Sequence, residues 1–116
     1  MRRLKWVLGA LALATGALGC GAAQALDWTQ VTGHVTVVEA SYMPTRVTFT
    51  IDQPAGTCTA GTFLIWYSAG SDSTQLSAQA AAVLSLLMTA KVSGQPITVW
   101  GNNAGCAVTF IHLGSS

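Results

Sequence analysis

Apolar and polar positions alternate twice before residue 53, and the period then lengthens. Val31, Gly33, Val35 and Val37 alternate with Thr32, His34, Thr36 and Val38, the period of two of a half-buried strand, and predict a first strand over about Gln30 to Ala40. Ser41 to Thr45, containing Pro44, reads as a turn. Val47, Phe49 and Ile51 then alternate with Arg46, Thr48, Thr50 and Asp52, the cleanest one-sided strand of the chain. These two strands are expected to pair as a hairpin or meander. Gln53 to Thr57 is loop chemistry, and Phe63-Leu64-Ile65-Trp66-Tyr67 is apolar throughout, as for a third strand (Thr62 to Tyr67) covered on both faces.

The period becomes helical from Asp72 to Gly94. Asp72 with Gln75 three residues on reads as an N-cap and capping-box partner, and Gly94 with Pro96 beyond reads as a C-cap and stop. Leu76, Ala80, Val83 and Leu87, flanked by Leu84 and Ala90, form a stripe to be buried. The other side offers Ala78, Ala81, Ala82, Ser85, Leu86 and Thr89 in place of Lys/Glu pairs. Small residues let a second surface approach, so this face of the 72–94 helix is expected to meet neighbouring subunits in a homo-oligomer; the alternative is a bland exposed face. After the helix come a short fourth strand (Ile97 to Trp100), a turn (Gly101 to Gly105) whose Asn102 and Asn103 suit positive φ, and a fifth strand (Cys106 to Leu113).

The first twenty-five residues stand apart. Arg2, Arg3 and Lys5 form a positive region, Trp6 to Leu18 an apolar run too short to span a bilayer, and Ala23-Gln24-Ala25 a cleavage site. Residues 1–25 therefore read as a secretory signal peptide, and 26–116 as one domain, secreted or periplasmic. Cys20 opens a rival lipoprotein reading, disfavoured because Ala17 stands where such signals usually carry Leu. Twin-Arg export has only Arg2-Arg3 in its favour.

Without that leader, Arg46 and Lys91 face Asp27, Glu39, Asp52 and Asp72, so two cations against four carboxylates leave −2. That balance argues against a nucleic-acid partner, which draws on clustered Lys and Arg. So few charges imply stabilisation beyond the core, or surface covered by partners. Cys58 and Cys106 remain as an even pair in an oxidising compartment and read as one disulfide, worth roughly 4 kcal/mol in the chain-entropy account. Two isolated Cys without matching His make no tetrahedral metal set.

The order β-β-β-α-β-β is that of the OB-fold: a mainly β, five-stranded, partly open barrel with one helix between strands three and four. In that barrel strands three and five run parallel. Cys58 just precedes strand three and Cys106 opens strand five, which suits the disulfide.

Ser93-Gly94-Gln95-Pro96-Ile97-Thr98-Val99-Trp100 after the helix, and Trp28-Thr29 followed by Val31-Thr32-Gly33-His34-Val35-Thr36 near the start, resemble the B-subunit family of the subtilase cytotoxin, an AB5 toxin. The Cys before strand three fits loosely. The resemblance implies a pentameric, sugar-binding subunit with helices lining a central pore and an A subunit as partner, although no A component can be read from this chain. In the family a Ser hydroxyl before a Gly on the first strand contacts a sialic-acid sugar. Thr32, before Gly33, holds that position here and adds a methyl group. The loop between strands one and two is shorter and differently composed.

An enzyme needs a nucleophile and base, a carboxylate pair or a metal set. His34 and His112 are the only imidazoles, and the four carboxylates fall mostly at predicted element ends, where caps and turns use them. There is no phosphate loop and no nucleophile elbow, so the chain reads as non-enzymatic and without a cofactor. His34 is a solvent-facing strand residue or a ligand contact, and His112 is structural. Sugar binding uses aromatic faces with short polar groups. Trp28, Tyr42, Trp66, Tyr67 and Trp100 are the aromatic candidates; Trp66 and Trp100 suit packing, whereas Tyr42 lies in a turn expected to be exposed. The candidate ligand residues are Thr32, His34 and Tyr42. Two functions follow: a secreted carbohydrate-binding subunit of a ring, with a sialylated glycan as ligand, or a structural, protein-interaction OB-fold without a glycan.

Overall fold

A computed structural model describes residues 25–115. The expected leader, apart from Ala25, and Cys20 lie outside the described residues.

The elements are β1 (Trp28–Gly33), β2 (Val35–Glu39), β3 (Arg46–Ile51), β4 (Leu64–Tyr67), α1 (Ser73–Ser93), β5 (Ile97–Asn102) and β6 (Ala107–Leu113), with a short 3-10 turn Ala104–Cys106 leading into β6. The molecule is mainly β with one long helix. Its six strands form one mixed, open sheet in the order β1-β5-β6-β4-β3-β2. Every neighbouring pair is antiparallel except β4 and β6, which run parallel through Ile65↔Ala107 and Trp66↔Val108. β1 and β2 form the two edges of the sheet, yet one residue, His34, separates them in the chain.

That separation accounts for six strands where the alternation predicts five. The expected first strand, Gln30 to Ala40, is divided at His34. Gly33 is paired with Ile97 of β5, whereas Val35 is paired with Ile51 of β3, so the chain changes partner strand at that residue. The His34 N–H leaves the ladder and donates to Asp52 Oδ1 at 2.8 Å, while the Asp52 N–H returns to the His34 carbonyl at 3.1 Å. The expected hairpin of the first two strands is present as β2–β3.

The core is built from the inward rows of the sheet and one face of α1. Val47, Phe49 and Ile51 of β3, Leu64 of β4 and Ile97 and Val99 of β5 are buried together with Ala80, Leu87 and Ala90. Val83 and Leu84 flank them, so the stripe packs as its spacing predicts from Ala80 to Ala90; Leu76 is half-buried outside the core, and Leu86, expected on the opposite face, packs against the core instead. The caps hold too: Asp72 accepts from the Gln75 N–H at 2.9 Å, and Gly94 is left-handed with its N–H on the Ala90 carbonyl. The Gln75 side chain reaches the Ser71 N–H at 2.8 Å, one residue before the usual capping-box donor.

Three expectations are corrected. Thr48 and Thr50 of β3 are buried on the face expected to be polar and open, because β2 lays side chains across them. The third strand starts at Leu64, and Phe63 and Tyr67 are exposed at 45% and 51%, so it is not covered on both faces. In the last turn positive φ falls on Gly105 and Cys106; Asn103 is right-handed, and the Asn side chains serve as ties instead. Asn103 Oδ1 accepts from the Thr57 N–H at 2.9 Å, Asn102 Oδ1 accepts from the Asp27 N–H at 3.3 Å, and Asp27 Oδ2 accepts from the Asn103 N–H at 2.9 Å.

The same corner holds the disulfide. Cys58 and Cys106 are bonded, with Cα atoms 6.1 Å apart, immediately before β6 and beside its two-residue parallel seam with β4. A bond of this kind suits an oxidising compartment such as the periplasm or the exterior. Trp28 is buried alongside, and Gly101 is required there because a Cβ would strike both the Trp28 ring and the Ala107 carbonyl.

Candidate functional site

The outer face of β3 carries every second residue from Arg46 to Asp52, and each is engaged by a residue of β2 or of its flanks. Thr50 Oγ1 lies 2.6 Å from Thr36 Oγ1. The Thr48 hydroxyl donates to Glu39 Oε1 at 2.8 Å. At one end of this row Asp52 holds His34, and at the other the Arg46 guanidinium lies 4.1 Å from the centroid of the Tyr42 ring. The middle of the row is buried and its two ends are open. Chemistry directed at solvent therefore concentrates at those ends.

At the first end the Asp52 carboxylate accepts the His34 backbone N–H through Oδ1, and the His34 ring Nδ1 lies 3.3 Å from Oδ2. The His34 backbone N–H above all, opposed by burial and aided by the ring, holds the Asp52 carboxyl below its usual range. Gly33 makes the approach possible, because a Cβ there would stand 3.0 Å from Asp52 Oδ1 and 3.2 Å from Gln53 Cγ. Thr32, exposed on the neighbouring edge, has its hydroxyl 3.1 Å from Thr98 Oγ1. The Thr98 proton is committed to the Gly114 carbonyl at 2.8 Å, so Thr98 accepts and Thr32 donates. Thr32 consequently turns lone pairs outward. Together with an ionised Asp52 it makes a corner rich in acceptors, suited to a ligand that brings hydroxyl or amine protons.

At the second end Tyr42 is exposed at 44% on a tightly tied turn. Its carbonyl accepts from the Thr45 N–H at 3.1 Å, the Arg46 N–H at 3.3 Å and the Thr45 hydroxyl at 2.8 Å. Ser68, just past β4, ties the same turn through its N–H to the Thr45 carbonyl at 2.9 Å and its hydroxyl to the Pro44 carbonyl at 2.6 Å. Tyr67 is the cross-strand partner of Arg46 and shares its face.

Of the three residues singled out by sequence, Thr32 and His34 are thus near neighbours and Tyr42 is not. It lies beyond the far end of β2, whose five residues span roughly 17 Å. Sequence reasoning missed Asp52 and Arg46 as partners of His34 and Tyr42. Their signal was the out-pointing parity they share with Thr48 and Thr50. His112 stacks tilted on Trp100, ring centroids 4.6 Å apart, on the outer face of β5–β6.

The outer face of α1 is uncovered in the single chain: Ala78, Ala81, Ala82, Ser85 and Thr89 are exposed, while Leu86 turns to the core. Met88 and Val92 continue it towards the C-terminal end, where with Thr89 and Ser93 they line a shallow open depression. Among the described residues α1 is the one helix long and apolar enough to cross a membrane, by length and composition alone. Its inner stripe is committed to the sheet.

Compared with family models, with curated proteins and with solved structures, the chain finds no match in any of the three.

Proposed function

We propose that the protein is an exported, non-enzymatic carbohydrate-binding subunit on an OB-type barrel, in which β1 and β2 are the two halves of one bent first strand. On this reading five strands curve around the core as a partly open barrel, α1 packs against it, and copies of the chain assemble side by side through the outer face of α1. A ring of that kind would present its sugar sites together and take an A-type subunit as its partner. The observation that carries the sugar-binding reading is the Thr32–His34–Asp52 corner. It is exposed, its carboxylate is held ionised, and Thr32 turns acceptor lone pairs outward, so it offers several fixed acceptors to the hydroxyls of a pyranose.

The test is a glycan array, sialylated glycans included, probed with the disulfide-intact protein and with Thr32→Tyr. The reading expects binding that the substitution abolishes by filling the corner. Native mass of the same samples reports the assembly, and a monomer would remove the account of α1.

A second reading, a structural OB-fold used only for protein contacts, is favoured by the apolar side chains exposed on the strands and their flanks: Val37, Phe63, Tyr67 and Phe110, each between 45% and 55%. Oligomerisation without any glycan binding would select it.

A further inference from the structure

We propose that the Tyr42–Arg46–Tyr67 corner is a binding site for an acidic sugar, a pyranose bearing a carboxylate, with Arg46 receiving that carboxylate. The inference does not depend on the Thr32 corner, which lies at the opposite end of β2.

Arg46 and Lys91 are the only Lys or Arg among the described residues, and the four carboxylates there are all engaged elsewhere: Asp27 by Asn103, Glu39 by Thr48, Asp52 by His34 and Asp72 by Gln75. No carboxylate among the described residues forms an ion pair with Arg46. A guanidinium stacked on a ring has its face covered and its N–H edge free. That edge matches a carboxylate in two parallel hydrogen bonds, which an ammonium group cannot do.

The corner is also built before any ligand arrives. Three hydrogen bonds converge on the Tyr42 carbonyl, and Ser68 ties the turn from the β4 side, so Tyr42 and Arg46 are held in register at little ordering cost on binding. Tyr67, half exposed across from Arg46, offers a ring face to the C–H patch of a sugar. Two residues along the same face, about 7 Å away by strand spacing, Glu39 is held by the Thr48 hydroxyl and presents acceptor capacity to sugar hydroxyls. A carboxylate at one end and hydroxyls at the other is the polarity of a uronic acid. An acidic peptide with several carboxylates fits less well, because Glu39 repels the second charge.

The experiment is an NMR titration of the disulfide-intact protein with methyl β-D-glucuronide and with methyl β-D-glucoside, which differ in carboxylate against hydroxymethyl. The glucuronide is expected to shift the Tyr42 and Tyr67 ring signals and the Arg46 Nε–H, and to bind at least about tenfold more tightly than the glucoside. Arg46→Lys keeps the charge and loses the planar fork, and is expected to abolish that preference, while Thr32→Tyr leaves it intact. Should Arg46→Lys fail to fold, Tyr67→Ala tests the same site by weakening both sugars. Equal binding of the two sugars, absence of shifts at the three residues, loss of binding on Thr32→Tyr alone, or preference for glutamyl-glutamate over the glucuronide would each overturn the proposal.

Discussion

The two faces of β3 are both withdrawn from solvent along the middle of the strand, by different physics. Inward, Val47, Phe49 and Ile51 are buried against Leu64, Ile97, Val99 and the α1 stripe, a non-directional burial that depends on volume and area. Outward, Thr48 and Thr50 are buried beneath hydroxyl and carboxylate contacts to Glu39 and Thr36, which are directional and set where β2 lies along β3. The inner row ends in more core. The outer row ends in Asp52 and Arg46, which carry opposite charge and are engaged by His34 and Tyr42 at the surface. Stability thus resides mostly on one face, and the candidate binding chemistry at the two tips of the other.

The contrast is broken hardest from the inside. Phe49→Ala should cost about 3–5 kcal/mol in denaturant unfolding, since a fully buried ring leaves a cavity that β-sheet neighbours cannot collapse into. Thr50→Val removes one hydroxyl of a part-buried pair at nearly constant shape and should cost about 1 kcal/mol. A double-mutant cycle with Thr36→Val should show that the loss is mostly shared, because either change removes the same contact.

Asp52 sharpens the comparison through pH. Its carboxyl is lowered in the folded state, so its contribution is fully present above its ordinary value of 3.8 and is lost as the pH falls through the lower folded value. Asp52→Asn should therefore flatten the part of the acid-denaturation curve that lies below about pH 4, with a small effect at neutrality. A variant whose acid limb is unchanged would show that the His34 contact contributes nothing to folding. Smallest of all, Arg46→Lys should shift stability by no more than about 0.5 kcal/mol, since it removes no core contact and breaks no ion pair.

What was legible in the sequence follows the same division. Local signals were reliable: Asp72 and Gly94 cap α1 where spacing placed them, and the stripe from Ala80 to Ala90 faces the sheet. The pairing of Cys58 with Cys106 was legible because they are the even pair left beyond the leader, and the parallel run of the third and fifth predicted strands, here β4 and β6, because the element order implied it. The break at His34 was hidden, since alternation continues from Val31 to Val37 whichever strand lies opposite. Burial of Thr48 and Thr50 depends on Thr36 and Glu39 arriving from another strand, which a residue's own polarity does not report. Asn102 and Asn103 read locally as turn formers, whereas their side chains tie to Asp27 and Thr57, distant in sequence. At the candidate site, Thr32 was singled out through the family resemblance, His34 as an imidazole on a strand and Tyr42 for its turn. Their partners Asp52 and Arg46 were not, because partnership is a property of register.

The disulfide has a mechanical consequence. Cys58 and Cys106 are 48 positions apart and enclose β4, α1 and β5, so tension applied to the two ends of the oxidised protein bypasses those elements. Pulled to its limit, the oxidised chain should stop about 160 Å short of the reduced one, the contour length of the bypassed segment. While the bond stands, the stretch that holds the helix and the strands around it is invisible to force.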